Sequence, residues 1–322
     1  MVNGNRNTLY PLKNPTPLGV GVSEVRKVIN KARMSKENKT IVPPIKCQGI
    51  KTKLIPFLKD NIKINDNTRW IEPFLGSGAV LFNLQPQHAI LSDRNPYIIE
   101  LYKRIQDKTI TSDSIRVFLE EHGKKLAEYG KEYYHYMRDE FNKNKDVMYF
   151  LFLNRSCFSG LIRFNKKGEF NVSFGNRPQR FSEAYITKIC NQIDDIARIM
   201  EGKDWVFGCC DWRETIKQAQ EGDVVYLDPP YIDRATTYFA EWTEKDNKDL
   251  VEFAHQTEAD VYLSMWKESN LKKNEWLWKN WSDLKWIEHK HQYTVGGTLK
   301  KEQESNNKVI EVLAVKEHKR SD

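Results

Sequence analysis

The segment Asp223–Tyr231, DVVYLDPPY, ends an apolar, strand-like run in an acid, two prolines and an aromatic ring. Proline has no N–H and a fixed φ, so two in succession stiffen the turn and leave carbonyl oxygens unclaimed by a helix. Acceptors beside a flat ring suit an amino group on a planar heterocycle. Asp228 and the Pro229 carbonyl would accept the amine's hydrogens and hold its lone pair toward an electrophile. Pro230 would complete the turn, and Tyr231 would stack on the ring. The plainer alternative is a turn in which Asp228 caps the next helix. It loses ground because acids recur at comparable positions. Glu72 stands with Phe74, Gly76 and Gly78 in EPFLGSG, and Asp93 and Asp211 each follow another short apolar run.

Those acids imply a second ligand. Open α/β sheets bind ligands beyond the carboxyl ends of their strands. Glycines let a ligand approach the backbone, and an acid after the second strand suits ribose hydroxyls. The turn FLGSG is not G-x-G-x-x-G, there is no GK[ST], and no basic residue of the turn could meet a pyrophosphate. A nucleoside without phosphates fits better, and S-adenosylmethionine is the candidate.

The elements that must position these residues follow from pattern. TRWIEPFLGSGAVLFNL predicts a strand, a glycine-bearing turn and a helix from about Ala79. AILSDRNPYIIELYKRI repeats that grammar with Pro96 at a helix start, where a missing N–H does no harm. DWVFGCCDWRETIKQ, the Asp223 segment and ADVYLSMW continue it. Alternating strands and helices predict a doubly wound, mostly parallel sheet of the α/β class. LKWIEHKHQYTV and NKVIEVLAVK, joined by GGTLKKEQESN, predict an antiparallel pair at the sheet edge.

Between about Asp107 and Asp204 the rhythm stops. A helix-rich aromatic block leads into LNRSCFSGLIRFNKKGEFNVSFGNRPQRF, where NKKGE is placed as a hairpin loop. The expected organisation is an extension over 1–40, a first catalytic part over 41–106, a recognition insertion over 107–204 and a second catalytic part over 205–322.

The bulk numbers frame this reading. The chain has 322 residues, 39% hydrophobic and 12% aromatic, which supports a packed core. Lys and Arg total 51 against 44 Asp and Glu, and the net charge of +7 favours a polyanionic partner. Five cysteines form no CxxC pair and no Cys/His metal spacing, so no metal is expected and the thiols are read as reduced. No apolar stretch approaches the roughly 20 residues of a membrane span, and the start lacks a signal-peptide pattern. The expectation is a cytoplasmic protein without a membrane partner.

EPFLGSGAVLFNL, SDRNPYIIELY and VVYLDPPY, in that order, resemble the Dam-type (alpha-group) DNA adenine methyltransferases. The resemblance extends to PPIKCQGIKTKLIP, NRSCFSGLIRFNKKGEFNVSFG and KVIEVLAVK, and spans about Val42 to Val315. It implies a methyltransferase-type sheet, S-adenosylmethionine as cofactor and double-stranded DNA as substrate. It also implies nucleoid association through DNA, a monomer or weak dimer, and kinship with restriction–modification enzymes that work beside an endonuclease of the same site. Cys47 and Lys51 would line the cofactor site, Asp93 would hold the ribose, and Asp211 would sit near the cofactor adenine. Asp228 through Tyr231 would grip the target adenine after it flips from the duplex. Asn154 and Arg155 would face the DNA backbone, joined in DNA binding by Lys46, Lys166 and Lys167. Arg163 would read a base, as Arg does bidentate to guanine. Phe158 stands where relatives place an aromatic wedge, with core packing as its alternative.

Three positions depart from the family pattern. Cys47 stands for its usual tryptophan, Ile50 for a glycine, and Ser173 for a proline of the hairpin arm. The first two bear on cofactor affinity and the third on the recognition sequence. The implied reaction is direct displacement by the adenine amine, with no covalent enzyme intermediate. Two other readings stand beside it: an RNA amino-methyltransferase, since D-P-P-Y occurs there too, and a DNA-binding relative that no longer methylates.

Overall fold

A computed structural model describes residues 40–230, 242–269, 272–292 and 308–318. Tyr231, the 1–40 extension apart from Thr40, and the whole GGTLKKEQESN connection therefore lie outside the described residues.

The strands are β1 (Arg69–Glu72), β2 (His88–Ser92), β3 (Asp204–Gly208), β4 (Val224–Leu227), β5 (Asp260–Ser269), β6 (Lys285–Gln292) and β7 (Lys308–Lys316). They form one sheet in the order β3-β2-β1-β4-β5-β7-β6. The first five run parallel, and β7 pairs antiparallel with both β5 and β6. The predicted parallel sheet with an antiparallel edge is thus the observed one. Strand order reverses beside β1, since β2 lies on one side of it and β4 on the other. The carboxyl ends of β1 and β4, which carry Glu72 and Asp228, therefore open onto the point where ligands of such sheets sit.

Both faces of the sheet are covered, which is why its strands read as nearly continuous apolar runs. Alternate residues serve opposite cores. Trp70, Val224, Tyr226 and Tyr262 enter one, while Ile71, Val225, Leu227, Val261 and Leu263 enter the other. The helices of the first half are α1 (Ile55–Asn61), α2 (Ala79–Leu84) and α3 (Pro96–Gln106). Asn95 caps α3 by accepting from the Tyr97 N–H, and Pro96 opens it. The second half carries α8 (Trp212–Ile216), α9 (Glu244–Gln256) and α10 (Glu275–Trp281).

The block between α3 and β3 holds α4 (Ser112–Tyr129), α5 (Lys131–Asn144), α6 (Val147–Ser156) and α7 (Glu183–Met200). Its apolar residues, among them Phe141, Phe150, Phe152 and Ile189, join Trp70 and Tyr226 in the same core. The insertion is therefore packed onto the sheet through a shared core. The expected hairpin lies between α6 and α7, but as isolated bridges, Cys157 to Phe174 and Phe164 to Phe170, without continuous strands. Neighbours supply what the short ladder lacks. Asn142 on α5 brackets Phe170, accepting from its N–H at 2.8 Å and donating to its carbonyl at 3.2 Å. Tyr134 on α5 donates to the Val172 carbonyl at 2.8 Å.

Candidate active site

One cleft gathers most of the predicted cofactor residues. Its wall includes Cys47, Lys51, Glu72, Phe74, Gly76, Asp93 and Asp228. Its space, counted out to the open mouth, is about 1110 Å³. The glycine turn forms its floor. Gly76 and Gly78 have φ of 50° and 70°, the left-handed region that glycine enters without penalty. A Cβ on Gly76 would meet nothing within 4 Å and would point into open space, whereas one on Gly78 would stand 2.6 Å from the Phe82 ring. Gly76 thus keeps room for a ligand, and Gly78 keeps room for the core without lining the cleft.

Asp93 binds the turn directly. Its Oδ2 accepts from the Gly76 N–H and its Oδ1 from the Asn95 N–H, each at 2.8 Å. Burial pushes its carboxyl above the ordinary value, partly opposed by those two donors. Each oxygen keeps a second lone pair with which to meet a hydroxyl. Glu72 is buried and accepts from Trp70 Nε1 at 2.9 Å. Burial, with Asp228 and Asp93 nearby, pushes its carboxyl to about 8. The Cys47 thiol is pushed up by burial and by Asp93, so it serves the wall as a neutral apolar group.

Asp228 follows β4, and its Oδ1 lies 2.8 Å from Lys51 Nζ. Burial raises its carboxyl, while the Lys51 cation draws it down. Pro230 lines the cleft beside it, and Pro229 is buried behind.

Several predicted positions do other work. Asp211 is absent from the cleft wall. It caps α8 by accepting from the Arg213 N–H at 2.9 Å and pairs with Arg94 and Arg213. Its carboxyl is held below the ordinary carboxylate range; burial opposes that shift, but the capping N–H and Arg94 outweigh it. Asn154 and Arg155 are also corrected, because both are buried at 0% and 3% exposure. Asn154 accepts from the Lys46 N–H and donates to the Lys46 carbonyl, both at 2.9 Å. Arg155 donates to the Pro44 carbonyl at 2.7 Å. They fasten the segment before Cys47 to α6, and neither faces outward to a DNA backbone.

Phe158 is 59% exposed, which removes core packing as its role. Arg163, Lys166 and Lys167 are exposed on the hairpin, and Arg163 lies along the opposite arm, donating to Asn171 Oδ1 and carbonyl at 2.8 Å. Lys46 packs its stem against Gly160, where a Cβ would approach within 2.5 Å, and burial together with Arg180 and Arg155 lowers its ammonium to about 8.

Sequence reasoning missed the aromatic side of the cleft. Trp212 and Trp242 line it and pack against Phe74 with ring centroids 6.0 and 5.5 Å away. Trp212, next to Asp211 at a strand end, carried a usable signal; Trp242, isolated before a helix cap, carried none. Ile162 also lines the wall and brings the hairpin to its edge.

The wall offers groups that suit a nucleoside. Three aromatic rings can cover a purine, and Asp93 and Glu72 are acceptors. Both cations of the wall, Lys51 and Arg94, are paired with acids and offer no cradle for a pyrophosphate. Sheet order and cleft together define the class, an α/β protein of mostly parallel sheet with a ligand cleft beyond the carboxyl ends of its strands.

Comparison with known proteins narrows this. Residues 48–295 match the model of a family described as D12 class N6 adenine-specific DNA methyltransferase. A type II methyltransferase of Methanocaldococcus jannaschii, M.MjaIII, is 31% identical over 228 residues, covering 65% of this chain and 76% of that protein. The Retron Ec67 DNA adenine methylase of Escherichia coli is 33% identical over 215 residues, 64% and 70% of the two chains. A DNA adenine methylase of Serratia marcescens is 30% identical over 225 residues, 66% and 77%. The chain belongs to the D12 class of N6 adenine-specific DNA methyltransferases. Membership implies S-adenosylmethionine as methyl donor and DNA as substrate. No helix among the described residues is long and apolar enough to cross a membrane, and no group of three or more His, Cys, Asp or Glu among them could hold a metal.

Proposed function

We propose that the chain methylates the N6 amine of an adenine flipped out of a specific site in double-stranded DNA, with Asp228 as the acceptor for the amine. The observation that carries this is the position of Asp228, at the end of β4 on the wall of the cleft that also holds Asp93 and Gly76. Bound there, S-adenosylmethionine supplies an electrophilic methyl group on a sulfonium that leaves as a neutral thioether. Asp93 is placed for its ribose, Glu72 and Cys47 for the deeper wall, and Phe74, Trp212 and Trp242 for its purine. Asp228 accepts a hydrogen bond from the target amine, which helps draw the nitrogen lone pair out of the ring; as the N–C bond forms and the C–S bond breaks, the amine sheds one proton, which Asp228 receives. The Pro229 carbonyl, and Tyr231 by its place in the motif, are assigned to the same base. The gain comes from orientation and from acceptors fixed before the reaction starts.

Duplex recognition is assigned to the hairpin. Its exposure supports Phe158 as a wedge that fills the space a flipped base leaves. Arg163 is assigned to a base edge, and Lys46, Lys166 and Lys167 to phosphates. The test is incubation with S-adenosylmethionine and either unmethylated genomic DNA or total RNA, followed by nucleoside mass spectrometry. N6-methyldeoxyadenosine in DNA alone is expected, and methyl groups in RNA alone would overturn the substrate assignment. Asp228→Ala should lower the methylation rate by about 10²-fold or more and leave DNA affinity within about twofold. Full activity in that variant would refute the role given to Asp228.

A further inference from the structure

One cation in the cleft has no task in the scheme above. Lys51 is 5% exposed, and lysine is almost never buried to that degree unless paired. Its ammonium lies 2.8 Å from Asp228 Oδ1, and it is also 3.5 Å from the Gly49 carbonyl. Its backbone opens a short 3-10 turn, Lys51–Lys53, outside the sheet. The segment that leads into it is held at Lys46 by Asn154 and at Pro44 by Arg155. The ammonium is thus delivered to the carboxylate by a separately anchored piece of chain.

We propose that Lys51 is a positioning residue for methyl transfer, holding Oδ1 of Asp228 so that Oδ2 is presented to the amine of the target adenine. This rests on the reading of Asp228 as the amine's acceptor. The need for such a cation follows from the groups around Asp228. Glu72 at the end of β1, its own carboxyl pushed to about 8, and Glu311 on β7 are buried acids within electrostatic reach, and Tyr226 on β4 itself is a buried phenol. Lys51 is the cation that opposes them. An acid surrounded by burial and other acids takes up a proton. A protonated Asp228 would donate a hydrogen bond where the amine needs an acceptor, so the ion pair selects the working form as well as the orientation.

The alternative role for Lys51 is pairing with an anionic group of the cofactor, and the two separate cleanly. The experiment uses the full chain as wild type, Lys51→Met, Lys51→Arg and Asp228→Asn. Single-turnover methylation of DNA at saturating S-adenosylmethionine is followed from about pH 5 to about pH 9, with cofactor affinity measured by calorimetry. An opposite charge at this distance moves a carboxylate by roughly one to three pH units. The acid limb of Lys51→Met should therefore move upward by about one unit or more, a loss of about tenfold on that limb. Its cofactor Kd should stay within about threefold, Lys51→Arg should restore the limb, and Asp228→Asn should lack it. Lys51→Gln, equally uncharged, gives the same readout if Lys51→Met does not fold. An acid limb that overlays the wild type, or a loss seen wholly as weaker cofactor binding, would overturn the assignment. A wild-type chain that forms no N6-methyladenine would instead overturn the reading on which it rests.

Discussion

Asn154→Ala tests whether the asparagine before the hairpin is a DNA contact or an internal fastener. Its amide makes three hydrogen bonds in a site with no exposure: one accepted from the Lys46 N–H at 2.9 Å, one donated to the Lys46 carbonyl at 2.9 Å, and one donated to the Gly160 carbonyl at 3.3 Å. Truncation leaves three backbone groups short of a partner. At about 1 kcal/mol each, rising where water cannot enter, the loss is ~3 kcal/mol. Unfolding entropy near 2.1 cal/mol/K per residue, over the roughly 280 residues from Thr40 onward, gives about 0.6 kcal/mol/K and a fall in Tm of ~5 °C. Asn154→Asp keeps the shape but replaces the donor with an acceptor facing two carbonyls, so it should cost at least as much. The assay is thermal unfolding of the purified chain without DNA, beside DNA affinity at two salt concentrations. A phosphate contact predicts unchanged Tm and DNA binding weakened by a similar factor at both salt concentrations, since a neutral amide releases no counterions. An Asn154→Ala chain with wild-type Tm and weakened DNA binding would refute the buried-clamp reasoning and restore the first expectation.

The glycine turn separates fold from ligand. Gly78→Ala should cost about 2–3 kcal/mol, from left-handed strain plus the contact with buried Phe82. Gly76→Ala should cost only the strain, about 1–2 kcal/mol, yet raise the cofactor Kd about tenfold because its methyl enters the cleft; equal effects of the two on both readouts would contradict this division. Glu72 titrates near 8 in the folded chain against an ordinary 4.5, so the fold favours its protonated form. That contribution is whole below about pH 4.5 and is lost as pH rises through about 8, and the raised Asp93 and Asp228 add the same sign. Chemical denaturation of the ligand-free chain should therefore show stability falling from pH 5 to pH 8, with Glu72→Gln flattening the profile; an unchanged slope would mean that Glu72 is hydrated. Phe158→Ala should leave stability within about 0.5 kcal/mol, as an exposed site allows. It should slow the step that brightens 2-aminopurine placed at the target, and an unchanged rate there would remove the wedge.

How far the sequence could be read differs from residue to residue. Asp228, Asp93, Glu72 and Gly76 were legible because a strand's end and the turn after it are local: a short apolar run, then an acid, a proline or a glycine. The parallel sheet and its antiparallel edge were legible for the same reason, since period and punctuation belong to contiguous chain. Asn154 and Arg155 were not. They are polar residues before a basic hairpin, and nothing local shows that the Pro44–Lys46 segment, more than a hundred positions away, covers them. Asp211 reads like the other strand-end acids, but Arg94, beyond β2, reaches it only once β2 and β3 lie side by side.

The sequence by itself determined the α/β grammar, the acids at the strand ends and the family motifs in their order. Tertiary structure alone decided which polar groups are buried and which charges meet. It brought Lys51 to Asp228, closed the cleft with Trp212, Trp242 and Ile162, and turned Asn154 inward while leaving Phe158 outside. The physical reason is range. Propensity, capping and turn chemistry act over a few residues, whereas desolvation and ion pairing depend on whatever distant chain the fold lays against a group.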